Sequence, residues 1–353
     1  MGDTETARSY RVVQWATGNI GTKSLGEVLR HPHLELVGLV VHDAAKVGVD
    51  AGTLAGVDPV GVVALADTDL DAVLALDPDC VLYMPQACDA DALCRLLAAG
   101  VDVVTTRGEF HHPGSMDPEL RDRIEQSCQQ GGSSIHSTGS SPGFITEALP
   151  IVLTSLQRRL DGLHVHEYAD VSSRDSPDML FRIMGFATPP ERFDARRFTF
   201  GAAAFGPSLR LLGERFGLPL DSVEADGEVA AARHDMEIAA GFVPAGTVAA
   251  QRMRITGRRG DQPLLTFTAN WYVGTDIDAD WELLETGWRV VVEGDAPLDV
   301  RLRFPVAPDR MAATTPGYTA NRAVNAVAVV CAAEPGIRTT AELPQVIAWL
   351  GDA

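Results

Sequence analysis

The chain reads as an α/β protein. A doubly wound parallel sheet comes first, and a second α/β domain with a mostly antiparallel sheet follows. Three observations predict this. An apolar strand, Val12-Val13-Gln14-Trp15, runs straight into a glycine turn at residues 16–21 that opens a helix. Strand-like and helix-like segments then alternate, the pattern of a parallel sheet covered on both faces. Past about residue 160 the alternation stops and strand-like runs succeed one another.

The elements follow in order. Residues 22–30 form the first helix, with Leu25, Val28 and Leu29 on one face. A second strand at 36–41 ends in His42-Asp43, and a glycine-rich loop covers 46–52. Residues 79–85 are a buried strand stopped by Pro85, and 90–99 a helix closed by Gly100. The strand at 101–106 precedes a helix at 118–130 that ends in Gly131-Gly132. A short strand at 133–137 leads into the loop 138–144. Residues 163–171 alternate as a strand. Residues 252–257 and 264–273 form a hairpin about Arg258-Arg259-Gly260-Asp261, followed by strands at 288–294 and 300–304. The small residues of 201–206 suit close helix packing, and a helix at 319–333 packs back on the first domain. These elements divide the chain into a dinucleotide-binding domain (1–147), a substrate-binding and dimerisation domain (148–314) and a C-terminal helical segment (315–353).

Bulk properties narrow the function. The 353 residues suffice for two cores. The formal charge of −19 argues against nucleic acid and anionic membranes, which need a positive field. Charged residues or proline interrupt every apolar run before it spans a bilayer. The start, residues 1–6, is polar and lacks the apolar core of a secretory signal, so a cytoplasmic location with five reduced, scattered cysteines is expected.

The turn Ala16-Thr17-Gly18-Asn19-Ile20-Gly21 follows the G-x-G-x-x-G fingerprint of NAD- or NADP-binding Rossmann domains, with alanine for the first glycine. The competing reading is a tight turn in some other α/β domain. Asp43 lies 22 residues past Gly21, slightly beyond the place where an acid binds the ribose hydroxyls, and Lys46 offers a cation for a 2′-phosphate. NAD and NADP both remain open.

Ligands bind beyond the carboxyl ends of parallel strands. Two further loops qualify, 107–113 and 137–144. The first carries Glu109, whose carboxylate at a strand end suits proton transfer or an ammonium or iminium cation. The bland alternative pairs Glu109 with Arg107. Adjacent His111 and His112 are poorly spaced for a metal, and no metal is expected. His164 and His166 share a face of their strand. No nucleophile elbow, Walker loop or H-E-x-x-H motif supports a hydrolase or kinase.

Several motifs together resemble one family. They are Gln14 through Gly21, Lys46-Val47-Gly48, Thr105 through Phe110, Thr138-Gly139 with Pro142-Gly143-Phe144, Ser176 through Phe181 with Met184-Gly185-Phe186, and Ala323 through Ala326 with Pro335-Gly336-Ile337. The chain is similar to the native NAD(P)H-dependent amine dehydrogenases, which are related to 2,4-diaminopentanoate dehydrogenase and are dihydrodipicolinate-reductase-like. The resemblance implies a homodimer that aminates a ketone or aldehyde with ammonia, using NADH or NADPH, and deaminates amines in reverse. It implies Glu109 as the catalytic residue. Cofactor contacts are expected from residues 16–21, His42, Asp43, Lys46, Pro85, Thr106, Arg107 and Gly108. A substrate pocket is expected from Phe110, Ser141, Pro142, Phe144, His166 and Met179. Ser140-Ser141 departs from the family's Ile-Asn, which bears on substrate scope. A diamine or amino-acid-type dehydrogenase, with Arg174, Asp175 or Asp178 taking a second substrate charge, is the alternative within the family. A cofactor-binding sensor without turnover is the alternative outside it.

Overall fold

The computed structural model describes residues 8–349, apart from the side chain of Phe200. The polar start at 1–6 lies outside the described residues. The chain forms two compact units, Met1–Phe144 with Pro316–Ala353, and Ile145–Thr315.

The first unit is built on seven parallel strands: β1 (Tyr10–Trp15), β2 (Leu34–Val41), β3 (Ala64–Ala66), β4 (Cys80–Tyr83), β5 (Asp102–Thr105), β6 (Ser134–Ser137) and, from the chain's end, β15 (Gly336–Arg338). Their order is β15-β6-β5-β4-β1-β2-β3. Read from β3, this is the doubly wound Rossmann order with one strand added at the edge. The central strands are apolar on both faces because both faces are covered. Val13, Val81, Tyr83 and Val103 pack beneath α4 (Ala90–Ala98) and α5 (Pro118–Gly131), through Leu93, Leu97 and Ile124. Val12, Cys80, Leu82 and Val104 point the other way, against Ala323, Val324, Val327 and Val330 of α8 (Pro308–Cys331).

Local chemistry sets the helix ends. Asp89 and Asp117 accept first-turn amides of α4 and α5, and Pro118 occupies the first turn of α5. Gly132 closes α5 in the left-handed conformation. The first helix, α1 (Asn19–Arg30), starts earlier than its apolar face suggests, since Thr22 N already bonds Gly18 O. The last helix also starts early and runs through Pro316, which reads in sequence as a stop. Short helices α2 (Ala51–Ala55) and α3 (Leu70–Leu74) flank β3. All three escaped the sequence reading because each is too short to show a period.

The second unit holds β7 (Leu160–Asp170), β8 (Ser222–Ala231), β11 (Val248–Arg259), β12 (Gln262–Tyr272), β13 (Gly287–Gly294) and β14 (Leu298–Arg303). They form one sheet in the order β14-β13-β7-β12-β11-β8. Every pair is antiparallel except β7 with β12, so the sheet is mixed and mostly antiparallel, as expected. A ribbon of β9 (Met236–Ile238) and β10 (Gly241–Val243) stands apart, and α6 (Leu149–Thr154) precedes β7. The helix α7 (Thr199–Arg215) covers one sheet face. Phe205 stacks on Phe267 with ring centroids 4.0 Å apart. A Cβ on Gly201 would meet the Met253 sulfur at 2.2 Å, so this glycine permits the close approach. On the opposite face, His164, His166, Arg252, Arg254 and Arg289 line an open groove.

Candidate active site

Four strands of the first unit end on one line. Trp15, Tyr83, Thr105 and Ser137 are paired in register across β1, β4, β5 and β6. The loops after them therefore leave the sheet side by side. This carboxyl edge includes the switch point between β1 and β4, where open parallel sheets hold ligands.

The glycine turn leaves β1. Gln14 is fully buried, and its Nε2 donates to the carbonyls of Trp15 and Ala16 at 3.3 and 3.1 Å. Ala16 has φ +76°, the left-handed conformation that favours glycine. A Cβ on Gly21 would lie 2.1 Å from the Ala16 carbonyl oxygen, so helix and strand meet there only around glycine. By contrast, nothing lies within 4 Å of a Cβ built on Gly18. No side chain caps α1 at Gly18, and the first turn, with Asn19 and Ile20, carries no acid. Uncapped N–H donors at the positive end of a helix suit a pyrophosphate. The residues present thus fit a dinucleotide.

The structure brings Lys46 to this turn, where its Nζ donates to Thr17 Oγ1 at 3.1 Å and to Thr17 O at 3.3 Å. Asp43 Oδ1 accepts from Ala45 N at 2.9 Å and caps the short turn Ala44–Lys46. His42 Nδ1 stands 2.7 Å from Asp67 Oδ2.

The loop after β5 carries Thr106, Arg107, Gly108 and Glu109. Arg107 Nε and Nη2 both lie 2.6 Å from Glu109 Oε1. Its Nη1 donates to the carbonyls of Pro85 and Gln86 at 3.0 and 2.7 Å. Pro85 thus enters the site through its backbone. Ser137 Oγ donates to Arg107 O at 2.6 Å and fixes the main chain from the neighbouring strand. Sequence reasoning placed Gln14 in the strand before the turn and Ser137 at the head of a site loop without giving either side chain a role, and it missed Gln86, whose only signal is a polar residue just past the end of a buried strand.

Phe110 departs from expectation. It is fully buried in the core that holds Tyr83, Val103 and Met116, because the turn Gly108–Phe110 directs its ring inward. In the loop after β6, Ser140 Oγ and Thr319 Oγ1 lie 2.7 Å apart, which ties the loop to α8. Phe144 N donates to Gly139 O at 2.7 Å, and the Arg322 guanidinium stands 5.9 Å from the Phe144 ring centroid. The Ser141–Pro142 bond is cis. The buried hydroxyls of Thr138 and Ser141 have no hydrogen-bond partner among the described residues.

His166 and Met179 belong to the second unit. His166 lines the open groove on the sheet, where burial and the neighbouring His164 push its pKa down to about 4. Met179 is exposed. His112 Nδ1 pairs with Ser115 Oγ at 2.7 Å. Among the described residues, no three His, Cys, Asp or Glu side chains converge as a metal site.

Comparison with known proteins supplies the family. Residues 144–353 match the model of the 2,4-diaminopentanoate dehydrogenase C-terminal domain. The chain belongs to the 2,4-diaminopentanoate dehydrogenase family. The family resemblance read from the motifs is the one shown. A relative named amine dehydrogenase, from Streptomyces virginiae, is 27% identical over 344 residues, covering 94% of this chain and 95% of the relative. The 2,4-diaminopentanoate dehydrogenase of Acetoanaerobium sticklandii is 22% identical over 254 residues, covering 71% and 69%. The solved amine dehydrogenase of Mycobacterium smegmatis shares the fold of this family member. Its TM-score is 0.76 at 22% identity, with 97% of this chain and 98% of that one covered.

Proposed function

We propose that this family member is an NAD(P)H-dependent amine dehydrogenase, an oxidoreductase acting on CH–NH2 groups. It aminates a ketone or aldehyde with ammonia and oxidises the amine in reverse. The observation that carries the reading is the state of Glu109. One carboxylate oxygen is held by Arg107, and Oε2 has no hydrogen-bond partner among the described residues. The side chain is 30% exposed, so a ligand reaches it. The names of the two curated relatives support the same reading.

The residues divide the work by position. The uncapped start of α1 holds the pyrophosphate, and Gly18 keeps bulk away from it. Lys46, bonded to Thr17 beside the turn, and Asp43 serve the adenosine end in this reading. Bound NAD(P)H supplies the hydride. Glu109 holds ammonium, accepts its proton as the ammonia so formed attacks the carbonyl, returns that proton to the carbinolamine hydroxyl as water leaves, and then faces the iminium cation as a carboxylate. Thr138, Ser141 and Pro142 border the reacting carbon from the next loop. The reading includes a cytoplasmic homodimer formed through the second unit. No described helix is long and apolar enough to cross a membrane.

The deciding experiment follows NADH and NADPH oxidation with cyclohexanone and small aldehydes, with and without ammonium, for wild type and Glu109→Ala. Ammonium-dependent turnover that the variant loses supports the proposal. Ammonium-independent turnover makes the protein a carbonyl reductase. Cofactor binding with no turnover makes it a sensor. Activity confined to amino acids or diamines favours the amino-acid-type alternative. Sedimentation gives the oligomeric state.

A further inference from the structure

Arg107 was expected to touch the cofactor, yet its donors point elsewhere. Nε and Nη2 meet the same oxygen of Glu109, and Nη1 meets two backbone carbonyls after β4. The Arg107 side chain is only 17% exposed. Its own backbone is held from two sides: its amide donates to Thr105 Oγ1 at 3.3 Å, and its carbonyl accepts from Ser137 Oγ at 2.6 Å. Thr105 Oγ1 in turn donates to Tyr83 O at 2.7 Å. Three adjacent strand ends therefore fix one planar cation. A planar fork anchored at both ends sets the direction of its partner as well as its charge.

We propose that Arg107 is the positioning residue for Glu109. It clamps Oε1 so that Oε2 is the oxygen presented to the ammonium or iminium cation. This rests on the amine dehydrogenase reading of Glu109. The clamp also answers a problem of specificity. An unheld carboxylate on a three-residue turn samples several rotamers, and its productive geometry is diluted. Arg107 removes that freedom while leaving one oxygen open. Cys88, Asp89 and Tyr83, from β4 and the segment after it, lie near the pair. Burial pushes the Cys88 thiol up and the Tyr83 phenol to about 12, so both are neutral near pH 7. Arg107 is thus the cation built against Glu109.

The test is a double-mutant cycle with Arg107→Gln, Glu109→Gln and the combined variant, read as kcat/KM for ammonium at saturating cofactor. Arg107→Gln is expected to lose about 10- to 100-fold, the cost of a misplaced reacting group. The KM for NAD(P)H should stay within about twofold, since uniform cofactor binding is untouched. The combined variant should be no worse than Glu109→Gln. Added guanidinium should partly restore Arg107→Gln and leave the combined variant unchanged. Arg107→Lys keeps the charge without the fork and should fall between wild type and Arg107→Gln. It also serves if Arg107→Gln folds poorly. Multiplying losses, a raised cofactor KM, or wild-type kinetics in Arg107→Gln would each overturn the proposal. If the wild type reduces carbonyls without ammonium, the amine reading falls, and the cycle is scored on that turnover. A protein silent on every carbonyl and amine overturns both.

Discussion

The carbonyl oxygen of Ala16 occupies the place where a side chain on Gly21 would begin, 2.1 Å from its Cβ. Two residues five apart in sequence thus lock strand β1 against helix α1. Gly21→Ala must push backbone against backbone. We expect a loss of more than about 2 kcal/mol together with weaker cofactor binding. Ala16→Gly acts oppositely, because alanine is strained at φ +76°. Relief of that strain, less the added freedom of the unfolded chain, should stabilise by about 0.5–1 kcal/mol. Thermal unfolding with and without cofactor checks both, and an unstable Ala16→Gly would show that the turn is not strained.

Lys46 bears on the choice of cofactor. Its Nζ sits 3.1 Å from Thr17 Oγ1, beside the turn, where a 2′-phosphate would find a cation. Lys46→Ala should raise the KM for NADPH about tenfold or more, the worth of a hydrogen bond to a charged group. The KM for NADH should barely move. Equal effects on the two cofactors would assign Lys46 to holding the turn itself.

His166 makes stability depend on pH. Its folded pKa is about 4, against 6.5 when unperturbed, chiefly because of burial and then His164. The unfolded chain therefore binds the extra proton first as pH falls. Stability attributable to this group is complete above pH 6.5 and declines until about pH 4, by at most about 3 kcal/mol. Denaturant titrations across that window should show the slope, and His166→Asn should flatten it. An unchanged slope in the variant would assign the acid sensitivity elsewhere.

Cys128 should be inert in the native protein. It is fully buried, and burial pushes its thiol to about 12. Alkylation at pH 8 followed by mass spectrometry should leave it unmodified until denaturant is added. Native labelling at Cys128 would mean that α5 opens locally well below global unfolding.

The sequence was informative wherever the determining contact is local. Val12 to Gly21 announces a strand, a turn and a helix within ten residues, and caps such as Asp89 and Asp117 mark their own helices. Periodicity separated the two sheets because side-chain direction repeats every two residues in strands and every three to four in helices. It failed for β3, which spans three residues, and for β8, where outward Glu224, Asp226 and Glu228 alternate but the small Ala225 and Gly227 between them give little apolar signal. It also failed at Pro316, where an expected break is absorbed within α8.

By itself the sequence determined the doubly wound first sheet, the glycine turn that opens a helix and a carboxylate just past a strand end. Tertiary structure alone decided the rest. The carbonyls of Pro85 and Gln86, just past β4, meet Arg107 across more than twenty residues, Lys46 returns to Thr17, and Phe110 turns inward while Glu109 stays open. The physical reason is range. Periodicity and capping act over one or two turns of chain. Which hydrogen bonds a guanidinium makes depends on which strand ends the sheet order places beside it.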